Sequence, residues 1–261
     1  MKAWVLKHPS KVENRPLEFT EVATPVPQEG ELLVKVKACG ICRTDLHVVE
    51  GELAVRRPNV VPGHQIVGTV ERLGEGAAGF SLGDKVGIAW LRRTCGACRY
   101  CLSGRENLCD NAEFTGWTHN GGFAEFLTAP ADFVYRLPAD FPDVEAAPLL
   151  CAGIIGYRAL RLLEFSDWSG ARLGIYGFGA AGHVCIQIAK SRGAEVFVAT
   201  RDRERHQRLA EELGAVWVGD TFDKPPAHLD GAIIFAPAGR SFPLRWRPWI
   251  KAAVLSLAGS I

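Results

Sequence analysis

The chain has 261 residues, 48% of them hydrophobic, and 30 basic against 29 acidic side chains leave a formal net charge of +1. That length predicts two domains, and so even a charge balance sets up no global field toward nucleic acid or a membrane surface. The N-terminal MKAWVLKHPSKVENRP lacks the apolar run of a signal peptide, and no stretch of about 18 apolar residues occurs. The expectation is therefore a soluble cytoplasmic protein with no nucleic-acid or membrane partner. In such a reducing compartment its eight cysteines serve as metal ligands and buried thiols rather than disulfides.

Along the chain, short β-like runs come first, at 32–38, 66–73, 85–89, 123–129 and 132–135, separated by Gly and Pro. They predict a β-rich domain over residues 1–140. After Pro138 the texture changes, and residues 144–163 read as helical with Pro148 as an interruption. Strand and helix signals then alternate: strand 172–176, helix 179–191 with Ala181, Val184, Cys185, Ile188 and Ala189 on one face, strand 195–199, charged helix 203–213, and strands 217–219 and 231–236. This is the α/β pattern of a parallel sheet over residues 141–261.

Within the β-rich part, Cys95, Cys98, Cys101 and Cys109 form CxxCxxCx7C in the polar loop TCGACRYCLSGRENLC. Polar loops seldom collect four thiols, and a tetrahedral zinc needs four soft ligands at about 2.3 Å, which short CxxC steps bring together at little entropic cost. Four thiolates leave no open position, so this site is structural; a disulfide pair or unrelated core cysteines are the alternatives. Cys42 in CGICRTDLH, His64 in VPGHQIVG and Cys151 in LLCAG make a second set. Two thiolates and an imidazole leave a fourth position for water or substrate, as in a catalytic zinc site. Taken singly, a Cys on an apolar helix is a core residue and a His before a strand a capping or surface residue.

Gly177, Gly179 and Gly182 spell GxGxxG between an apolar strand and an amphipathic helix. In that context the first Gly turns the chain, the second admits a pyrophosphate and the third lets helix and sheet pack closely, with the helix N-terminus facing the phosphates. A merely tight turn is the alternative. At the end of the next strand, where an NAD site carries an acid, stand Thr200 and Arg201. A hydroxyl and a guanidinium suit a 2′-phosphate, which favours NADP over NAD, unless Arg201, Arg203 and Arg205 are simply a solvated basic face paired with Glu204, Glu211 and Glu212.

CGICRTDLH, GHQIVG, the four-cysteine lobe, CAG and the Gly-rich turn, in this order and spacing, resemble the zinc-dependent medium-chain alcohol dehydrogenases from about Ala3 to Gly239. The resemblance implies a GroES-like catalytic domain followed by an incomplete Rossmann sheet, and NAD(P)-linked interconversion of an alcohol with an aldehyde or ketone. It also implies one catalytic zinc on Cys42, His64 and Cys151 rather than Cys39, and one structural zinc on the lobe. Thr44 and His47 match the proton relay, Arg43 a pyrophosphate contact and Asp45 an acid that orients His64. Cys39 and Cys185 are left as buried thiols. Trp90 and Trp117 flank the lobe and are candidates for an apolar pocket for small primary or aromatic alcohols, or for core packing.

Two departures stand out. Gln65 takes the place of the family's usual Glu after the ligand His, which points to altered ligand exchange at the metal. Family members also run to roughly 340 residues, so the chain resembles a C-terminally truncated member, and RSFPLRWRPWIKAAVLSLAGSI after GAIIFAPAG fits no expected helix, KGG-like turn or strand. A frameshift is one explanation, since reading from the last base of the Arg245 codon permits LAAVDQGGRVVLG. On this reading the sheet stops at its fourth strand, with an exposed edge, and the family's homo-oligomer contact is in question. The alternatives to a working dehydrogenase are an inactive zinc-binding fragment or a quinone or enoyl reductase of the same superfamily, the latter opposed by the complete set of seven ligands.

Overall fold

The computed structural model describes residues 1–236 and the backbone of Ile250–Leu255. The frameshift reading of residues 241–261 otherwise lies outside the described residues. The contacts divide the chain into two units, Met1–Cys151 and Ala152–Ile261. The first extends beyond the change of texture at Pro138 because Ala146, Ala147 and Leu150 pack with Val67 and Ala89 of the β-rich core.

In the first unit, β1 (Lys2–Leu6) and β2 (Leu17–Glu21) form an antiparallel pair. Then follow β3 (Glu31–Gly40), helix α1 (Arg43–Glu50), β4 (Gln65–Leu73) and β5 (Lys85–Ile88). The lobe is bracketed by β6 (Leu91–Arg93) and β7 (Glu113–Phe114), with the short α2 (Arg99–Leu102) between them. The unit closes with β8 (Phe126–Pro130), β9 (Val134–Arg136) and α3 (Asp143–Ala146). The main sheet has the order β8-β3-β4-β5-β9, all neighbours antiparallel. Its core is the period-2 set Leu32, Val34, Ile66, Val70, Val86, Ile88, Leu127 and Ala129, one face of each strand, as a half-buried pleated sheet requires.

A buried ion pair ties the lobe to this sheet. Arg92 on β6 donates Nη2 to Glu31 Oε1 at 2.7 Å and Nη1 to the Thr128 carbonyl, while the other Glu31 oxygen accepts from Gln28 N at 3.2 Å. Neutralising one partner leaves the other charge buried and unpaired. Glu31→Gln is therefore expected to cost about 3–5 kcal/mol, read as a lower denaturant midpoint at unchanged slope.

The second unit runs α4 (Ala152–Arg161), β10 (Arg172–Tyr176), α5 (Ala180–Ser191), β11 (Glu195–Ala199), α6 (Arg208–Glu212), β12 (Trp217–Gly219), β13 (Leu229–Ile234) and β14 (Ile250–Leu255). The strands form one parallel sheet in the order β12-β11-β10-β13-β14. Such a sheet is buried on both faces, which explains the near-continuous apolar strands. Leu173, Ile175, Val196, Val198 and Ile233 meet α4 and α5 on one face, while Tyr176, Phe197, Ala199, Ala232 and Ile234 form the core of the other.

Two expectations are corrected. The sheet does not end at its fourth strand: β14 pairs in parallel with β13, Gly231 opposite Ala252, and takes up the free ladder edge. The charged helix expected at 203–213 begins instead as a wider π-type turn over Arg203–Gln207. There Asp202, at φ 67°, accepts from Arg205 N through its side chain and from His206 N and Gln207 N through its carbonyl.

Candidate metal centres and nucleotide turn

Three separate pieces of the β-rich unit deliver Cys42, His64 and Cys151. Cys42 is the N-cap of α1, just past the end of β3, and its Sγ accepts from Thr44 N at 3.4 Å. His64 precedes β4, and the antiparallel register that sets Gly40 opposite Gln65 returns it to the same end of the sheet. Cys151 ends the turn whose Leu150 would meet any Cβ added at Gly87 of β5. The Cys42 Sγ to His64 Nε2 separation is 3.4 Å, and the ligand atoms of all three residues lie within 4.8 Å of one another. Tetrahedral zinc with the usual bond lengths needs an S to N edge of roughly 3.6 Å, so the donor set fits the ion in size as well as in softness. Cys39 is outside this group.

Asp45 organises the corner. Its Oδ2 accepts from Cys42 N at 2.9 Å and its Oδ1 meets His64 Nδ1 at 3.0 Å, with both side chains buried. A proton held on Nδ1 by the carboxylate leaves the Nε2 lone pair for a metal. Burial would lower the His64 pKa, but the bonds to Asp45 and Cys42 overcome it and raise it to about 9. The hydrogen bond from Cys151, helped by His64, holds the Cys42 pKa well below the usual thiol value, which favours a thiolate at this corner. The edge of Trp90 meets the His64 ring at 5.0 Å, and Trp90 stacks on Trp117 at 5.9 Å. Asp45→Asn keeps the size but forfeits the carboxylate. It is expected to weaken zinc at this corner by about 10- to 100-fold in chelator competition, with the lobe zinc unaffected.

The lobe closes on itself. Cys98 Sγ and Cys95 Sγ lie 3.5 and 3.9 Å from Cys101 Sγ, and Cys109 Sγ accepts from Cys95 N at 3.4 Å. These separations bracket the roughly 3.8 Å edge of a zinc–thiolate tetrahedron. Backbone N–H groups of Ala97 and Cys98 bring the Cys95 pKa down to about 6, which favours the thiolate that binds metal.

The remaining predicted residues fall in two places. On α1, Arg43 is exposed, Thr44 is half-buried, and His47 bonds the Glu52 carboxylate through Nδ1, a partner no motif announces. In the second unit, Gly177 has φ 89° and a Cβ there would lie 2.6 Å from Ala236 N, so only glycine fits. A Cβ at Gly179, the N-cap of α5, would meet nothing within 4 Å, the open approach a pyrophosphate needs. Gly182 packs 3.0–3.4 Å from Gly177 and Ile175, measured to the missing Cβ. Thr200 is buried, its hydroxyl accepting from Phe178 N at 3.2 Å and its carbonyl held by Gln207 Nε2 at 2.8 Å, so it braces the turn. Arg203 pairs with Glu211, Arg205 with Asp202 and Arg208 with Glu212, whereas Arg201 is exposed with no carboxylate partner among the described residues.

Comparison with known proteins agrees with this arrangement. The alcohol dehydrogenase GroES-like domain family matches residues 28–139. The chain is 49% identical over 264 residues to a probable alcohol dehydrogenase AdhA of Mycobacterium tuberculosis, covering 99% of this chain and 75% of the relative. It is 43% identical over 220 residues to an alcohol dehydrogenase of Geobacillus stearothermophilus, covering 82% and 62%. Among solved structures, a cobalt- and zinc-bound thermostable alcohol dehydrogenase from Pyrobaculum aerophilum superposes with a TM-score of 0.79 at 28% identity, covering 90% of this chain and 70% of that one. The CAD of Helicobacter pylori complexed with NADP(H) gives 0.79 at 26%, covering 91% and 69%. The chain thus belongs to the zinc-dependent medium-chain alcohol dehydrogenases, an oxidoreductase family that uses zinc and NAD(P), and it spans 62–75% of the length of the two relatives named. Among the described residues no helix is long and apolar enough to cross a membrane.

Proposed function

We propose that this chain is an NADP-preferring alcohol dehydrogenase with a catalytic zinc on Cys42, His64 and Cys151 and a structural zinc on Cys95, Cys98, Cys101 and Cys109. The observation that carries the reading is the gathering of exactly one imidazole and two thiols at the first corner, against four thiols in the lobe. Three protein donors leave one coordination position for a substrate oxygen; four leave none. Zinc supplies a Lewis acid for an alcohol or carbonyl oxygen, and the nicotinamide accepts or donates the hydride.

The chain's own residues do the rest. Asp45 holds the His64 tautomer, and Trp90 presents an apolar wall against the His64 ring that excludes water from that side. The Thr44 hydroxyl takes the substrate proton, and His47, with Glu52 on Nδ1, passes it toward solvent. The Gly177–Gly179–Gly182 turn is assigned to the cofactor pyrophosphate. Trp117 is core: it packs with Leu6, Val48, Val49 and Val60, and its Nε1 donates to the Ala54 carbonyl at 2.9 Å. Trp90 therefore supports a preference for small primary or aromatic alcohols more directly than Trp117 does.

Cofactor choice follows from charge. The acid that follows β11 in sequence, Asp202, is spent on capping the turn that follows, while Arg201, with no carboxylate partner among the described residues, is left to bond a 2′-phosphate. Arg201→Gln is expected to weaken NADP binding by roughly tenfold and NAD binding little, in fluorescence titrations with each reduced cofactor. Steady-state turnover of the purified chain with ethanol, a longer alcohol and benzyl alcohol against both cofactors tests the activity itself. A chain with two zinc ions and no turnover in any combination is instead an inactive zinc-binding member.

A further inference from the structure

Away from both metal centres, a cleft of about 480 Å³ opens in the β-rich unit beside the edge strand β8. That volume lies within the usual range of small-ligand pockets. Its lining includes the apolar Val5, Val22, Val26 and Phe126, and among its charged side chains Arg57, Arg92 and Arg93 outnumber Glu31 and Glu113.

The two carboxylates are already engaged. Glu31 is held by Arg92 and by Gln28 N. Glu113 Oε2 lies 4.0 Å from Arg93 Nε and 3.5 Å from His119 Nε2. Arg57 is exposed and has no carboxylate partner among the described residues. Asn120 accepts from Val61 N through Oδ1, which leaves its NH₂ group for a ligand. The field can be read at His119, whose Nδ1 meets Thr118 Oγ1 at 3.1 Å. Burial, then Arg92, lower its pKa against the pull of Glu113, and Arg57 adds to the lowering.

We propose that this cleft binds a small carboxylate with an apolar or aromatic tail, the carboxylate forked by the Arg57 guanidinium beside Asn120 and the tail laid on Val26 and Phe126. Two parallel N–H to O bonds suit a carboxylate and a guanidinium, and the apolar residues of the lining gain from a tail that a bare anion lacks. The site is independent of the catalytic assignment, because none of these residues is a metal ligand or part of the relay.

Calorimetric titration of the zinc-loaded chain with sodium benzoate, and separately with neutral benzamide, tests it. Benzoate should bind, benzamide at least roughly tenfold more weakly. Arg57→Gln, at an exposed position that folding tolerates, should weaken benzoate by a similar factor and Arg57→Lys by less. In NMR the His119 titration should move up when benzoate binds, since a nearby anion favours the imidazolium. No benzoate binding at millimolar concentration, or equal binding of benzamide, would overturn the proposal. So would benzoate affinity that survives Arg57→Gln but vanishes in Cys42→Ala, which would place the acid on the catalytic metal instead.

Discussion

Replacement of Cys42 by Ala should take the zinc content of the purified chain from two ions to one and remove turnover. The corner formed by Cys42, His64 and Cys151 has three protein donors, and a remaining pair cannot hold zinc against water and buffer. Cys42 also caps α1, so its loss unsettles the helix that carries Thr44 and His47. With the Lewis acid gone, several kcal/mol of transition-state stabilisation disappear, a fall of about three orders of magnitude or more in kcat/KM. Cys39→Ala is the matched control. That thiol is only three residues away, but burial pushes its pKa up to about 12 and it lies outside the ligand group, so zinc content should stay at two. Metal analysis of the two variants side by side decides the point: equal zinc in both would refute the assignment.

Cys98→Ser should also leave one zinc ion per chain, but with a different consequence. The lobe has little apolar core; Cys95 is exposed and Leu102 and Leu108 face solvent. The four gathered thiols, with the Arg92–Glu31 pair at the base of the lobe, are what a metal would tie together. Where metal replaces a core, metal binding energy is folding energy. The expected loss is on the order of several kcal/mol, together with selective proteolysis between β6 and β7. Cofactor titrations that report on the second unit should be unchanged, and the remaining zinc should still be lost on adding Cys42→Ala. A Cys98→Ser chain with two zinc ions and an unchanged denaturation midpoint would contradict a structural role.

Much of this was legible in the sequence because it is written in short-range patterns. The CxxC steps, the GxGxxG turn and the period-2 strands each fix local geometry over a few residues, and strands 172–176 and 195–199 agree with the structure residue for residue. What escaped depended on contacts distant in sequence or on competition for one group. Residues 123–125 read as strand, yet β8 begins at Phe126. Thr200, whose hydroxyl beside Arg201 suits a 2′-phosphate, also accepts from Phe178 N across 22 residues, a contact no motif announces. Glu52 carries no motif and is recognised only once α1 ends at a left-handed Gly51 and the chain turns back toward His47. The fifth parallel strand, residues 250–255, follows a stretch holding Trp246 and Trp249 that fits no expected element, so no motif leads into it.

The placement of the metal corner follows from the same economy of connections. Antiparallel pairing of β3 with β4 brings the residues after one strand and before the other to a common end. A single carboxylate, Asp45, then fixes both the backbone of Cys42 and the ring of His64. An acid three residues after a ligand Cys is thus read as part of the site rather than as a turn residue.

The most direct measurement is anomalous diffraction at the zinc edge from crystals of the chain grown with zinc. The account predicts an ion bonded to Cys42 Sγ, His64 Nε2 and Cys151 Sγ at about 2.0–2.3 Å, with a non-protein atom as fourth ligand, and a second ion enclosed by the four lobe sulfurs. An anomalous peak in the lobe alone, or a fourth protein ligand closing the first corner, would contradict it.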